Sequence, residues 1–123
     1  MSRILLVDDN ADALSAIVLL LGHWGHEVRE AHDGPSALLI ARAWHPDIVL
    51  LDIGLPGMDR FRVAAALRRD AAREPPRIIA MSGLYGDDDE AMLAAVGIDQ
   101  ILRKPLDTQF LRSLFGHAAR QAH

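Results

Sequence analysis

The chain contains no cysteine, so disulfides, thiolate nucleophiles and cysteine-held zinc are excluded. Aromatic residues make up only 5% while half of the residues are apolar, so the core has to be aliphatic. No apolar run approaches the roughly 20 residues of a membrane span. The first run, Ile4 to Val7, is too short for a secretory signal and ends in two acids. A net charge of −4 offers no basic footprint for nucleic acid. No internal repeat, linker or low-complexity tract interrupts the 123 residues. A single soluble, cytoplasmic domain over 1–123 is expected, with roughly 65% of the unfolded surface hidden on folding. Residues 117–123 are expected to fray.

Apolar runs alternate with helical patterns. The runs are Ile4 to Val7, a weaker one around Val28, Ile48 to Leu51, Ile78 to Met81, and Ile101 with Leu102. Three of them are continuous, as strands buried on both faces of a parallel sheet should be. A first helix is predicted from Asn10 to Gly22, with Leu14, Ile17, Val18 and Leu21 at i, i+3, i+4, i+7 and Gly25 at its C-terminal closure. Ala16, Leu19 and Leu20 then face outward. A second helix follows Asp33-Gly34 and stops before Pro46. A third is capped by Asp59 and carries Val63, Ala64 and Leu67. A fourth follows Gly86-Asp87, with Asp87 to Glu90 complementing its dipole. A fifth follows Asp107, with Leu106 stapled to Leu111 and with Phe110, Leu114 and Phe115 on its buried face. Repeated strand–helix units predict an α/β fold with a parallel sheet and helices on both faces.

Ligands of such sheets bind beyond the carboxyl ends of the strands. The first run ends in Asp8-Asp9, the third in Asp52, the fourth in Ser82 and the fifth in Arg103-Lys104-Pro105. The second ends in Ala31 and His32, which carry no obvious chemistry there. In the strand order 2-1-3-4-5, three carboxylates converge, with a hydroxyl and an ammonium opposite. Two carboxylates about 4 Å apart repel by roughly 4 kcal/mol at an effective dielectric of about 20. A hard divalent cation relieves that repulsion and draws in phosphoryl oxygens. Phosphoryl transfer needs mainly positioning and charge neutralisation, and a carboxylate such as Asp52 is a competent nucleophile. The six histidines show no metal-ligand spacing and read as surface or capping residues.

These residues carry a resemblance. The stretches 4–10 (ILLVDDN), 46–59 (PDIVLLDIGLPGMD), 80–83 (AMSG) and 104–105 (KP), together with Gly25 and Asp33-Gly34, resemble the receiver domain of two-component response regulators over nearly the whole chain. The resemblance implies a flavodoxin-like (βα)5 fold, a five-stranded parallel sheet of order 2-1-3-4-5. It implies that Asp52 accepts a phosphoryl group from a histidine kinase or histidine phosphotransfer protein. Asp8, Asp9, Asp52 and the Gly54 backbone carbonyl would hold Mg²⁺, or Mn²⁺ in its place, with Asp9 the direct ligand of the acidic pair. Ser82 and Lys104 would take the phosphoryl oxygens, and the Lys104–Pro105 bond would be cis. Phosphorylation would switch the surface of the fourth helix, fifth strand and fifth helix; a homodimer on activation is compatible with this. The phosphodonor's helices would pack beside the first helix, where Leu19 and Leu20 are exposed. No nucleic acid, no membrane and no separate output enzyme are expected.

Three departures from the family pattern matter, the third of them covering two positions. Ile101 stands where a switching Tyr or Phe is usual, Arg60 where Gly is usual, and Leu84 with Gly54 at the positions that set the lifetime of the phosphoryl group. The apolar Leu84 gives an attacking water no partner and predicts slow self-dephosphorylation. Ile101 and Arg60 favour one alternative, a phosphorylation-independent adaptor on the same fold. A metal-dependent phosphatase would need a second acid where Gly54 stands.

Overall fold

The computed structural model describes residues 2–8, 11–52, 60–69, 75–82, 94–95, 97–103 and 108–115. Strands β1 (Arg3–Val7), β2 (Glu27–Ala31), β3 (Ile48–Asp52), β4 (Arg77–Ser82) and β5 (Gln100–Arg103) form one sheet in the order β2-β1-β3-β4-β5, and every neighbouring pair is parallel. The described helices are α1 (Ala11–His23), α2 (Gly34–Trp44), α3 (Arg60–Arg69) and α4 (Thr108–Phe115), the last being the fifth helix of the sequence-based reading. The predicted fourth helix lies outside the described residues except at Ala94 and Ala95, whose backbone is helical.

The period-2 pleat divides the central strands between two aliphatic layers. Leu5, Val7, Val49, Leu51, Ile78 and Ala80 meet Ala37 and Trp44 of α2 and Val63, Ala64 and Leu67 of α3. Ile4, Leu6, Leu50, Ile79, Met81 and Leu102 meet Ile17, Val18 and Leu21 of α1 and Leu111, Leu114 and Phe115 of α4. The continuous apolar runs are therefore central strands filled on both faces, as the sequence predicts. β2 has only β1 beside it, which explains its polar composition.

The turns follow from local chemistry. α1 closes with the His26 N–H on the Leu21 carbonyl and the Gly25 N–H on the Gly22 carbonyl, both at 3.1 Å, and with Gly25 at φ 92°. This is the paired-bond glycine closure of a helix end, and it turns the chain straight into β2. α2 is capped by Asp33, whose carboxylate accepts the Ser36 N–H at 2.7 Å. That backbone bond, then the Ser36 hydroxyl, holds the Asp33 carboxyl below its ordinary value of 3.8. The cap is therefore at full strength above pH 3.8 and is lost as the pH falls through the lowered value. At its other end α2 stops on His45, at φ 54°, whose N–H bonds the Ala41 carbonyl.

Among the described residues, three side chains depart from the sequence-based reading. Phe110 is exposed rather than buried, because the stripe that meets the sheet is Leu111, Leu114 and Phe115, and Phe110 sits one residue before it. Leu20 is half-buried rather than facing outward, whereas Leu19 is exposed. His26 is buried, not on the surface. Its Nε2 lies 2.6 Å from the Phe115 carbonyl, and its Nδ1 is 3.2 Å from the Ser2 amide N–H. The carbonyl only accepts and the amide only donates, so the ring is the Nε2–H tautomer. It ties the start of the chain to the end of α4.

Candidate functional site

Register brings the acidic strand ends together. Val7 pairs with Leu51 across β1 and β3, so the next residues along, Asp8 and Asp52, leave adjacent strands side by side. Neighbouring strands are about 4.8 Å apart. Both carboxylates are buried, Asp8 at 2% and Asp52 at 6% exposure. Asp52 is paired with Met81, and Ser82 with Arg103. The backbone of Ser82 thus ends β4 one residue beyond the level of Asp52, on the adjoining strand. Asp9, Gly54, Lys104 and the Ser82 side chain lie outside the described residues, as do Leu84, the Arg60 side chain and the Lys104–Pro105 bond.

Burying an ionised carboxylate is costly unless charge or hydrogen bonds compensate. Two in adjacent positions form an all-oxygen, doubly negative edge, the donor chemistry that a hard cation such as Mg²⁺ fits. Among the described residues no third acidic or imidazole side chain joins them. The strand residues that lead up to the two carboxylates are apolar. Leu50 and Leu51 precede Asp52 in β3, and Leu6 and Val7 precede Asp8 in β1, all of them fully buried. Ile101, at the position of the usual switching ring, is half-buried and packs against the α2–α3 layer.

One residue at this edge escaped the sequence-based reading. His32, at the end of β2, places its Nδ1 3.1 Å from the Asp8 backbone carbonyl, and the Asp8 N–H donates to the Ala31 carbonyl at 3.1 Å. The signal was its position alone, directly after the strand that flanks β1.

Comparison with known proteins agrees with this architecture. A family model described as the response regulator receiver domain matches residues 4–115. Protein PilH of Pseudomonas aeruginosa is 32% identical over 111 residues, covering 90% of this chain and 92% of PilH. The response regulator PleD of Caulobacter vibrioides is 36% identical over 110 residues, 89% of this chain but only 24% of PleD. The crystal structure of the Vibrio cholerae chemotaxis protein CheY4 superposes with a TM-score of 0.83 at 27% identity, over 93% of this chain and 96% of that one. A signal receiver domain from Colwellia psychrerythraea reaches a TM-score of 0.84 at 23% identity, covering 98% of this chain and 99% of that one, and attests to the fold alone.

Proposed function

The chain is a response regulator receiver domain of two-component signalling, and from that premise we propose that Asp52 is its phosphoacceptor. The observation that carries this reading is the pair of buried carboxylates, Asp8 and Asp52, leaving the two adjacent central strands at the carboxyl edge of the sheet. An Asp52 carboxylate oxygen attacks the phosphorus of a phosphohistidine. The P–O bond forms as the P–N bond breaks, and the imidazole departs with the electron pair. Asp8, Asp9, Asp52 and the Gly54 carbonyl are the residues that would hold Mg²⁺; when bound, it neutralises the carboxylates and the incoming phosphoryl oxygens. Ser82 and Lys104 take two of those oxygens afterwards. The added −1.5 to −2 charge, roughly, biases the packing around β5 and the helices that flank it, where Ile101 replaces the usual ring.

The phosphodonor is a histidine kinase or histidine phosphotransfer protein, and it docks along α1. No described helix is long and apolar enough to cross a membrane. The test is intact mass after incubation with acetyl phosphate. A gain of one phosphoryl group that requires Mg²⁺ is expected. No gain with any donor would replace this reading with the phosphorylation-independent adaptor.

Docking along α1 makes its own prediction. Leu19 is 74% exposed on the helix that follows the acidic end of β1. Leu19→Gln should slow transfer from a phosphohistidine donor several-fold and leave acetyl phosphate uptake unchanged. Equal slowing with both donors would place the effect in the site rather than in docking.

A further inference from the structure

We propose that His32 is a positioning residue for the metal-binding end of β1, acting through the Asp8 backbone. This rests on the phosphoacceptor reading of Asp8 and Asp52 above. The Asp8 carbonyl is an acceptor only, so the ring nitrogen 3.1 Å from it, Nδ1, carries the hydrogen and donates. On its other side the Asp8 N–H donates to the Ala31 carbonyl at 3.1 Å. Both polar groups of the Asp8 main chain are therefore held by two consecutive residues of the β2 end, Ala31 and His32.

Those anchors are themselves fixed. Ala31 is buried and pairs with Val7 in the sheet. The residue after His32 is Asp33, extended at φ −153° and bonded to the Ser36 N–H as the cap of α2. The His32 ring thus reaches back from the capped strand-to-helix turn. The carbonyl it holds belongs to the planar peptide unit that joins Asp8 to Asp9. Fixing that plane holds the Asp8 main chain in place beside the end of β3, and so presets Asp8 against Asp52 before any cation arrives. A preset site loses less ordering free energy on binding, as partners that orient metal ligands generally do.

The experiment compares wild type with His32→Ala, His32→Phe and His32→Asn, reading Mg²⁺ affinity by calorimetry and the unfolding midpoint in metal-free buffer. Asparagine retains an N–H donor where Nδ1 lies; alanine and phenylalanine do not. His32→Ala and His32→Phe should weaken Mg²⁺ binding by about fivefold, somewhat below the effect of losing a direct ligand partner. His32→Asn should restore most of it. The rate of acetyl phosphate uptake at saturating Mg²⁺ should stay within about twofold of wild type, and the metal-free midpoint should barely move. A merely structural role would lower the midpoint and leave the Mg²⁺ constant alone, which overturns the proposal, as does equal affinity in all four proteins. Nitrogen NMR of the wild type, at alkaline pH without metal, reads the tautomer independently of any variant. An Nδ1–H ring is expected, and an Nε2–H ring overturns the assignment. A wild type that neither binds Mg²⁺ nor takes a phosphoryl group would refute the phosphoacceptor reading instead, with the NMR result still deciding the His32 bond.

Discussion

Asp52→Asn should take up no phosphoryl group from any donor and should, in metal-free buffer, unfold at a higher temperature than wild type. The first half follows from chemistry. In the proposed reaction the carboxylate oxygen is the nucleophile, and a neutral amide offers no comparable electron pair to phosphorus at nearly the same shape. The second follows from electrostatics. Asp52 and Asp8 are both buried and stand side by side on adjacent strands. At an effective dielectric of about 20, like charges about 4 Å apart cost roughly 4 kcal/mol; hydrogen bonds of the carboxylates offset part of this, leaving about 1–2 kcal/mol to be recovered. Mg²⁺ should then narrow or reverse the order. A cation at 100 times its dissociation constant stabilises the protein it binds by about 2.7 kcal/mol, and the variant, short of one ligand, gains less. Intact mass and thermal unfolding with and without MgCl₂ check both halves. A phosphorylated Asp52→Asn protein would move the acceptor to another side chain, and a lower metal-free midpoint would show that the two carboxylates do not strain each other.

The acidic edge was legible because it needs only two facts, both local. Continuous aliphatic runs mark the central strands, and the residue that ends each run has to emerge at the same rim of a parallel sheet. Asp8 and Asp52 are placed that way by arithmetic on the sequence. The weak run around Val28 was equally informative, since an edge strand with one neighbour has no reason to be apolar throughout.

What stayed hidden depends on contacts between distant segments. Nothing near His26 in sequence announces that Ser2 and Phe115 will converge on its two ring nitrogens. A polar residue beside a glycine turn reads as surface until those partners are known. His32 is the same case across β1 and β2. Phe110 failed for a different reason. Size and hydrophobicity favour burial, but helix geometry allots the sheet-facing stripe to Leu111, Leu114 and Phe115, and a neighbour about 100° away is left outside. His45 takes a left-handed backbone at φ 54° that residue type alone would have assigned to glycine or asparagine.

Leu50→Ala should be the most damaging single truncation in the core, because Leu50 lies in the central strand that ends in Asp52 and has neighbours on every side. It is 0% exposed and belongs to the layer under α1 and α4, with Leu6 and Ile79 in register on the flanking strands. A rigid sheet cannot collapse into the space left behind, so the transfer and cavity costs add to about 3 kcal/mol. That corresponds to a fall of roughly 12 °C in Tm for a domain of this size. Leu39→Ala is the control: Leu39 is 66% exposed on α2, and its truncation should cost less than about 0.5 kcal/mol. Pairing separates the two layers. Leu50→Ala with Leu6→Ala should be non-additive, since the two voids merge, whereas Leu50→Ala with Val63→Ala, on opposite faces of the sheet, should add within about 0.5 kcal/mol. Urea unfolding at equilibrium measures all of these. Strong coupling across the sheet, or a Leu50→Ala loss no larger than that of Leu39→Ala, would contradict a core divided into two independent layers by the strands that present Asp8 and Asp52.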